Sequence, residues 1–159
     1  MDPNEENTIY RKVAHYCGYQ ERTEREVRDK LRVWGAANKV EEDHIVKILK
    51  QDHFLNEERY VAAFIRGKSL SNKWGKRKLL AALTQKGVDQ ALICKGLAAI
   101  ENNDYLQSLR HVADQKTKAL AGATPIQAKQ KLTNYLLQKG YEPDLVHQTV
   151  QTITVQQSS

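Results

Sequence analysis

Apolar residues recur at helical spacing along the whole chain, and no segment alternates convincingly between apolar and polar residues as a half-buried strand would. The first stripe consists of Ile9, Val13 and Tyr16, which are three or four residues apart and therefore share one helix face. The next begins with Val27 and Leu31, again four residues apart. The pattern predicts an all-α protein built from short amphipathic helices.

The hydrophobic pattern also repeats three times. The segments VRDKLRVWG, LLAALTQKG and LTNYLLQKG end at Gly35, Gly87 and Gly140, a spacing of about 52 to 53 residues. Each contains an aligned apolar pair: Val27 with Leu31, Leu79 with Leu83, and Leu132 with Leu136. Each is also preceded and followed by another amphipathic stretch. Three units of three helices are therefore predicted.

Residues at the ends of the predicted helices fit this division. Glycine adopts positive φ without strain, so the three glycines suit helix C-termini. Helix starts are expected from residues that cap or open a helix: the capping box from Thr23 to Glu26, Asp89, Thr124 with Pro125, and Pro143. The acidic runs EED (41–43) and NEER (56–59) also stand at predicted helix starts, where the helix dipole favours them without any catalytic role.

The expected organisation is a polar N-terminal tail (1–7), three tandem three-helix repeats (8–53, 54–101 and 102–155) and a C-terminal tail (156–159). Short amphipathic helices bury their apolar faces only when neighbouring repeats stack. An elongated, curved stack of right or left hand is predicted. Such a stack suits an extended partner better than a small-molecule pocket.

Composition narrows the functional classes. Lys and Arg number 25 against 19 Asp and Glu, a net charge of +6 that favours a polyanionic or acidic partner. The sequence contains no membrane-length apolar run and no signal peptide at its start, so a cytoplasmic location is expected. The five histidines show no zinc-binding spacing, and phosphate-binding or nucleophile motifs are missing. We expect no cofactor and no metal, and Cys17 and Cys94 are expected to be buried free thiols.

Basic residues are concentrated in the second repeat. From Arg66 to Lys86 the chain contains no Asp or Glu, but it contains seven cations: Arg66, Lys68, Lys73, Lys76, Arg77, Lys78 and Lys86. Leu79, Leu80 and Leu83 are expected to face inward, so three of these cations begin that helix, where they oppose the positive end of the dipole. This placement favours a contact surface over helix stabilisation. A solvated cationic turn is the alternative.

The tryptophans and the arginines of the first repeat have simpler explanations. Trp74 packs on the helix it precedes, or it stacks on a base or an aromatic group of a partner. Trp34, at a helix end, is expected in the core. Arg22, Arg25, Arg28 and Arg32 are interleaved with carboxylates, and pairs such as Asp29 with Arg32 or Arg25 with Asp29 should absorb much of their charge.

Three segments together resemble the RecX family of bacterial recombination regulators: RTEREVRDKL (22–31), FLNEERYVAAFIRGK (54–68) and KWGKRKLLAALTQKGV (73–88). The resemblance covers roughly residues 8 to 100 and extends more weakly into the third unit. It implies a modular helical protein of three-helix repeats. The family's motif positions fall mostly on residues with a structural role: Asn56, Glu57, Tyr60, Phe64, Gly75, Leu79, Leu83 and Gly87.

The resemblance further implies a non-enzymatic regulator in DNA repair, recombination and the SOS response. RecX proteins bind the RecA nucleoprotein filament and inhibit its ATPase and strand-exchange activities, and some members also bind DNA. The expected partners are thus the RecA filament and single- or double-stranded DNA, contacted by a monomer. The candidate contact residues are Arg66, Lys68, Lys73, Trp74, Lys76, Arg77 and Lys86. A stand-alone nucleic-acid-binding protein is the alternative.

Overall fold

The computed structural model describes residues 2–158, and all regular structure within that range is helical. Nine α-helices follow one another there in three groups of three. The first group is α1 (Pro3–Tyr19), α2 (Glu24–Val33) and α3 (Lys39–Gln51). The second is α4 (Glu57–Gly67), α5 (Lys76–Gln85) and α6 (Gln90–Ala98), with a π-helical segment Lys68–Asn72 after α4. The third is α7 (Asn102–Ala119), α8 (Pro125–Gln138) and α9 (Pro143–Ser158). The all-α prediction is confirmed.

The predicted helix ends are confirmed at the residues that define them. Thr23 forms the capping box with Glu26, and the Thr124 side chain accepts a hydrogen bond from the Gln127 amide at the start of α8. The Asp89 side chain caps α6 by accepting from the Ala91 amide at 2.9 Å. The three repeated glycines at positions 35, 87 and 140 have φ of 114°, 80° and 99°. These conformations explain why each repeat ends its middle helix with glycine.

The predicted terminal tails are wrong where the structure describes them. Helix α1 begins at Pro3, inside the segment 1–7 assigned to a tail, because Asp2 accepts a hydrogen bond from the Asn4 amide and proline occupies the first turn. Glu5 and Glu6 in that turn add favourable dipole interactions. Helix α9 likewise continues to Ser158, through most of the segment 156–159.

Backbone contacts divide the protein into two compact units, and α4, α5 and α6 each contribute to both. Unit 1 contains the chain up to Phe64 together with Leu83–Ile93. Its core is formed by apolar side chains from α1, α2 and α3 together with Leu55: Ile9, Val13, Ala14, Cys17, Val27, Leu31, Ile45, Val46, Leu49 and Leu55. Trp34 is half-buried against this core, edge to face with Tyr16 at 6.0 Å between ring centroids.

Salt bridges neutralise most of the arginines on α2. Arg32 pairs with Asp29 at 3.0 Å as predicted, and also with the buried Glu42 at 2.7 Å. Arg28 bridges to Asp43 at 2.7 Å. Arg25 differs from the prediction: its guanidinium donates to the Gln85 carbonyl at 2.8 Å, at the C-terminus of α5. The negative end of the α5 dipole explains that choice.

The acidic run at the start of α4 also has a structural role in unit 1. Asn56 caps α4, since its side-chain oxygen accepts from the Arg59 amide at 3.0 Å. The Glu57 carboxylate accepts a hydrogen bond from the Glu24 amide at 3.1 Å. These contacts connect α4 to the first turn of α2, and they agree with the expectation that this run serves helix starts.

Unit 2 contains Ile65–Ala82 together with the chain from Cys94 onward. Its buried cluster comes from α7, α8, α9 and the turn before α9: Tyr105, Leu109, Val112, Ala113, Leu132, Leu136, Tyr141, Val146 and Val150. The rings of Tyr105 and Tyr141 are 5.4 Å apart at their centroids. This tyrosine pair lies next to the start of α5.

Two burial predictions are wrong. Cys94 is exposed, although Cys17 is buried and both are free thiols as expected. Leu80 is 36% exposed, whereas Leu79 and Leu83 are fully buried. A four-residue step keeps the latter two on one helix face and turns position 80 away from it. Within residues 2–158, no helix is both long and apolar enough to span a membrane.

Candidate functional site

The net positive charge of the protein resides in unit 2. That unit contains 13 Lys and Arg against 5 Asp and Glu, a formal charge of +8. Unit 1 contains 12 Lys and Arg against 14 Asp and Glu, a charge of −2. Any attraction of the whole chain to a polyanion therefore originates from one of its two units.

Six of the seven candidate contact residues lie in unit 2: Arg66, Lys68, Lys73, Trp74, Lys76 and Arg77. We call these six residues, with Lys78, the basic segment. Lys86 belongs instead to unit 1, where its ammonium nitrogen is 5.8 Å from the centroid of the Phe64 ring. In the sequence, Lys86 belongs to the same run of cations, but in the structure it lies in unit 1 and the other candidates lie in unit 2.

Within residues 2–158, the cations Arg66, Lys73 and Arg77 form no ion pair. Arg66 and Arg77 are exposed and Lys73 is half-buried. Helix α5 has no acidic residue in its first turn. The basic segment therefore keeps charge available to a partner, unlike the paired arginines of α2.

Trp74 packs inside the basic segment. The half-buried ring has the Lys78 ammonium 4.6 Å from its centroid and the Lys68 ammonium 4.9 Å away. Both distances are typical of cation–π contacts. These two contacts occupy ring surface that a stacked base would need, so the geometry favours packing over stacking. Trp74 gathers two cations on its own surface.

Three amide groups at the start of α5, those of Gly75, Lys76 and Arg77, are already hydrogen-bonded. The Gly75 amide donates to the Lys139 carbonyl at 2.7 Å, and the Arg77 amide donates to the Gly140 carbonyl at 2.9 Å. The Lys76 amide donates to the Tyr105 hydroxyl at 2.9 Å. These bonds satisfy donors that helix N-termini usually leave open to anions. These three amides are therefore not available to a phosphate or carboxylate group, which favours recognition by side chains.

The same contacts correct the expectation that cations destabilise the start of α5. The carbonyls of Lys139 and Gly140 belong to the C-terminal end of α8, which has negative dipole character. This negative end meets the positive end of α5. The field that Lys76, Arg77 and Lys78 experience is therefore weaker than that of an isolated helix start, and their placement alone no longer indicates function.

Two glycines permit this close approach. A Cβ at Gly75 would overlap the backbone of Gly140 and Tyr141, and a Cβ at Gly140 would overlap the Lys78 backbone. Glycine at 140 also allows φ of 99°. These two positions thus fix the contact between the second and third groups of helices within unit 2.

Lys73 has an unusual backbone conformation. It follows the π-helical segment and lies in the left-handed region at φ 54°, where residues with a Cβ are strained. Two side chains from the third group of helices hold this stretch. The Tyr141 hydroxyl donates to the Lys73 carbonyl at 2.7 Å, and the Lys139 ammonium donates to the Asn72 carbonyl at 2.9 Å.

The tyrosines at this contact remain neutral hydrogen-bonding groups. Burial raises the pKa of Tyr141 to about 12, with a further increase from the nearby Glu142 carboxylate. Burial also raises the pKa of Tyr105, and its hydrogen bond to Glu142 raises it further. The Tyr105 hydroxyl donates to Glu142 and accepts from the Lys76 amide. Both tyrosines are therefore fixed donors at neutral pH.

Sequence reasoning missed Lys139, Tyr141 and Tyr105 as residues that shape this surface. Lys139 and Gly140 were visible in the repeated Gln-Lys-Gly motif, but that motif was interpreted only as a helix end. The backbone contacts join Gly75 to Lys139 and Arg77 to Gly140, which are 64 and 63 positions apart, and helical periodicity carries no information over that separation. In the described part of the chain, no three His, Cys, Asp or Glu residues lie together as a group that could hold a metal ion.

The geometry defines a class: a protein of three successive three-helix domains with a basic surface formed by side chains. Three family models match in succession, described as the first, second and third three-helix domains of RecX. They cover residues 10–47, 56–97 and 103–150. The chain belongs to the RecX family.

Curated relatives agree with this assignment. The chain is similar to the regulatory protein RecX of Clostridium acetobutylicum, at 31% identity over 86% of this chain and 65% of the relative. The regulatory protein RecX of Clostridium perfringens strain 13 is 33% identical over 84% of this chain and 62% of the relative. For the regulatory protein RecX of Bacillus mycoides the identity is 27% over 90% and 53%. The chain thus spans about half to two thirds of their length.

Solved structures support the fold. A crystal structure of RecX from Lactobacillus salivarius superimposes with a TM-score of 0.87 at 20% identity, covering 96% of this chain and 98% of that one. A second, described as regulatory protein RecX, gives a TM-score of 0.80 at 20% identity over 90% and 70%. The prediction of three tandem three-helix repeats is confirmed.

Proposed function

We propose that this protein is a RecX-type regulator that binds the cognate RecA nucleoprotein filament and inhibits its ATPase and strand-exchange activities. The match to all three RecX domains in order supports this function more than any other observation. The relatives' shared name, regulatory protein RecX, supports a regulatory role. The protein then acts in the cytoplasm as a monomer, in DNA repair, recombination and the SOS response, without catalysing a reaction itself.

The proposed contact surface is the basic segment of unit 2. Its support is the charge of +8 in that unit and the cations Arg66, Lys73 and Arg77, which form no ion pair among the described residues. A filament of RecA on DNA presents phosphates and acidic protein surface, and cationic side chains attract both. Inhibition follows from steric and electrostatic interference with filament growth or with the structural cycle of its protomers.

The direct test is the DNA-dependent ATPase of cognate RecA, measured with increasing amounts of the protein. We expect inhibition by the wild type and a large loss of inhibition for the double charge reversal Arg66→Glu with Arg77→Glu. Both side chains are exposed, so the variant should fold. The absence of inhibition, together with the absence of binding to RecA filaments, would contradict the proposed function.

Arg11→Glu with Lys12→Glu is a matched control, since these exposed cations lie on α1 in unit 1. It produces the same change in total charge and should inhibit like the wild type. Equal losses in both double variants would indicate a nonspecific charge effect. Tight binding to DNA without RecA, with a steep salt dependence, would instead favour a stand-alone nucleic-acid-binding protein.

A further inference from the structure

The third group of helices shapes the basic segment through one part-buried hydrogen bond, from Tyr141, and one exposed hydrogen bond, from Lys139. Tyr141 has no exposed surface, yet its hydroxyl holds the Lys73 carbonyl at 2.7 Å. Lys139 donates to the Asn72 carbonyl at 2.9 Å. Both accepting carbonyls lie where the π-helical segment ends and the chain turns into α5. These side chains act on the backbone of the basic segment.

The backbone at this point needs such support. Lys73 lies at φ 54°, a conformation that costs free energy for any residue with a Cβ. The preceding π-helical turn is also uncommon, and π turns are frequently found at functional sites. Without the external hydrogen bonds, Lys73 would return to a more favourable conformation and Lys68 and Trp74 would change their spacing.

We infer that Tyr141 and Lys139 are positioning residues that hold the basic segment in its binding conformation, and that this is a function of the third domain. The inference rests on the proposed function for its partner, the RecA filament. The third domain contributes affinity without needing to touch that partner. Apparent affinity falls by the fraction of molecules in which the segment leaves the binding conformation.

Tyr141→Phe tests this hydrogen bond most selectively, because the substitution removes one hydroxyl and keeps the ring beside Tyr105. Loss of one hydrogen bond predicts filament binding weaker by about three- to tenfold. Hydrogen exchange should quicken at the Trp74 and Gly75 amides, which donate to the carbonyls of Lys68 and Lys139. Amides in α2, which belongs to unit 1, serve as an internal reference and should keep their rates.

A paired comparison at Lys73 separates positioning from a general structural effect. Lys73→Ala and Lys73→Gly remove the same charge, but glycine tolerates the left-handed conformation and alanine does not. Tyr141→Phe should therefore weaken binding strongly in the Lys73→Ala background and by less than twofold in the Lys73→Gly background. Equal effects in the two backgrounds would overturn the inference.

The experiment uses the full chain, fluorescently labelled, titrated with cognate RecA filaments on single-stranded DNA. If Arg66→Glu with Arg77→Glu weakens binding and Tyr141→Phe does not, the positioning role is wrong and the proposed function stands. If the wild type fails to bind filaments, the proposed function is wrong, and the exchange rates then decide the positioning role alone. Unchanged exchange at Trp74 and Gly75 in Tyr141→Phe would refute it.

Discussion

The close approach of Gly75 and Gly140 predicts a graded response to alanine at four glycines. Gly18 has open space around it and ordinary φ, whereas Gly35 has positive φ with only ordinary contact to Ile9. Gly75 has a backbone overlap without positive φ, and Gly140 has both. The four positions therefore separate conformational strain from steric exclusion.

The expected changes in the free energy of unfolding follow from conformational strain and steric overlap. Gly18→Ala lies in the last turn of α1 and should stabilise the protein by about 0.5 kcal/mol. Gly35→Ala should cost about 1 to 2 kcal/mol for positive φ alone. Gly75→Ala should cost about 2 to 4 kcal/mol, from overpacking and loss of its hydrogen bond to Lys139. Gly140→Ala should be the most destabilising, at about 3 to 5 kcal/mol.

The assay is urea unfolding followed by helical circular dichroism, with tryptophan fluorescence as a second probe because Trp74 adjoins Gly75. Denaturation midpoints should decrease in the order Gly18→Ala, Gly35→Ala, Gly75→Ala, Gly140→Ala. If Gly75→Ala unfolded at the wild-type midpoint, the close backbone contact at the start of α5 would not exist in solution, and the positioning account would lose its basis.

Three further outcomes are expected. Glu42→Ala removes the buried carboxylate that accepts from Arg32 at 2.7 Å, and should lower the free energy of unfolding by about 1 to 3 kcal/mol; an unchanged urea midpoint would contradict this. Burial raises the pKa of Tyr60 and Tyr141 to about 12, so the folded state retains protons that the unfolded state loses, and stability should fall between about pH 10 and 12. Tyr60→Phe should reduce that fall in unfolding experiments across this range, and an identical pH profile would refute the assignment. Lys86→Glu should reduce RecA inhibition less than charge reversal within the basic segment, and an equal reduction in the ATPase assay would place Lys86 on the contact surface.

Local sequence signals were sufficient for the helices and their ends. Thr23, Asp89 and Thr124 cap helices through neighbours two or three residues away, so their roles are visible in short segments. The leucine pairs four residues apart identified the buried faces, except at Leu80, which lies beside a buried position without sharing its face.

The conformation of the basic segment was less predictable from the sequence, because backbone contacts between residues far apart in the chain determine it. The run of cations was visible in the sequence, but nothing there separates Lys86 from Lys76 or shows that the α5 amides donate to Lys139 and Gly140. The free-energy cost of placing cations at the start of α5 was overestimated for the same reason, because the sequence does not show that the C-terminal end of α8 meets this helix start. Cys94 was misjudged because its apolar neighbours in the sequence do not enclose it in the fold.

The central claim is that unit 2 binds the RecA filament through its basic segment, and an image of that complex tests it most directly. Electron cryomicroscopy of cognate RecA filaments on single-stranded DNA, incubated with this protein, should show unit 2 with the start of α5 against the filament and Arg66 and Arg77 at the contact. Filaments without bound density, or bound protein with this segment facing solvent, would contradict the account.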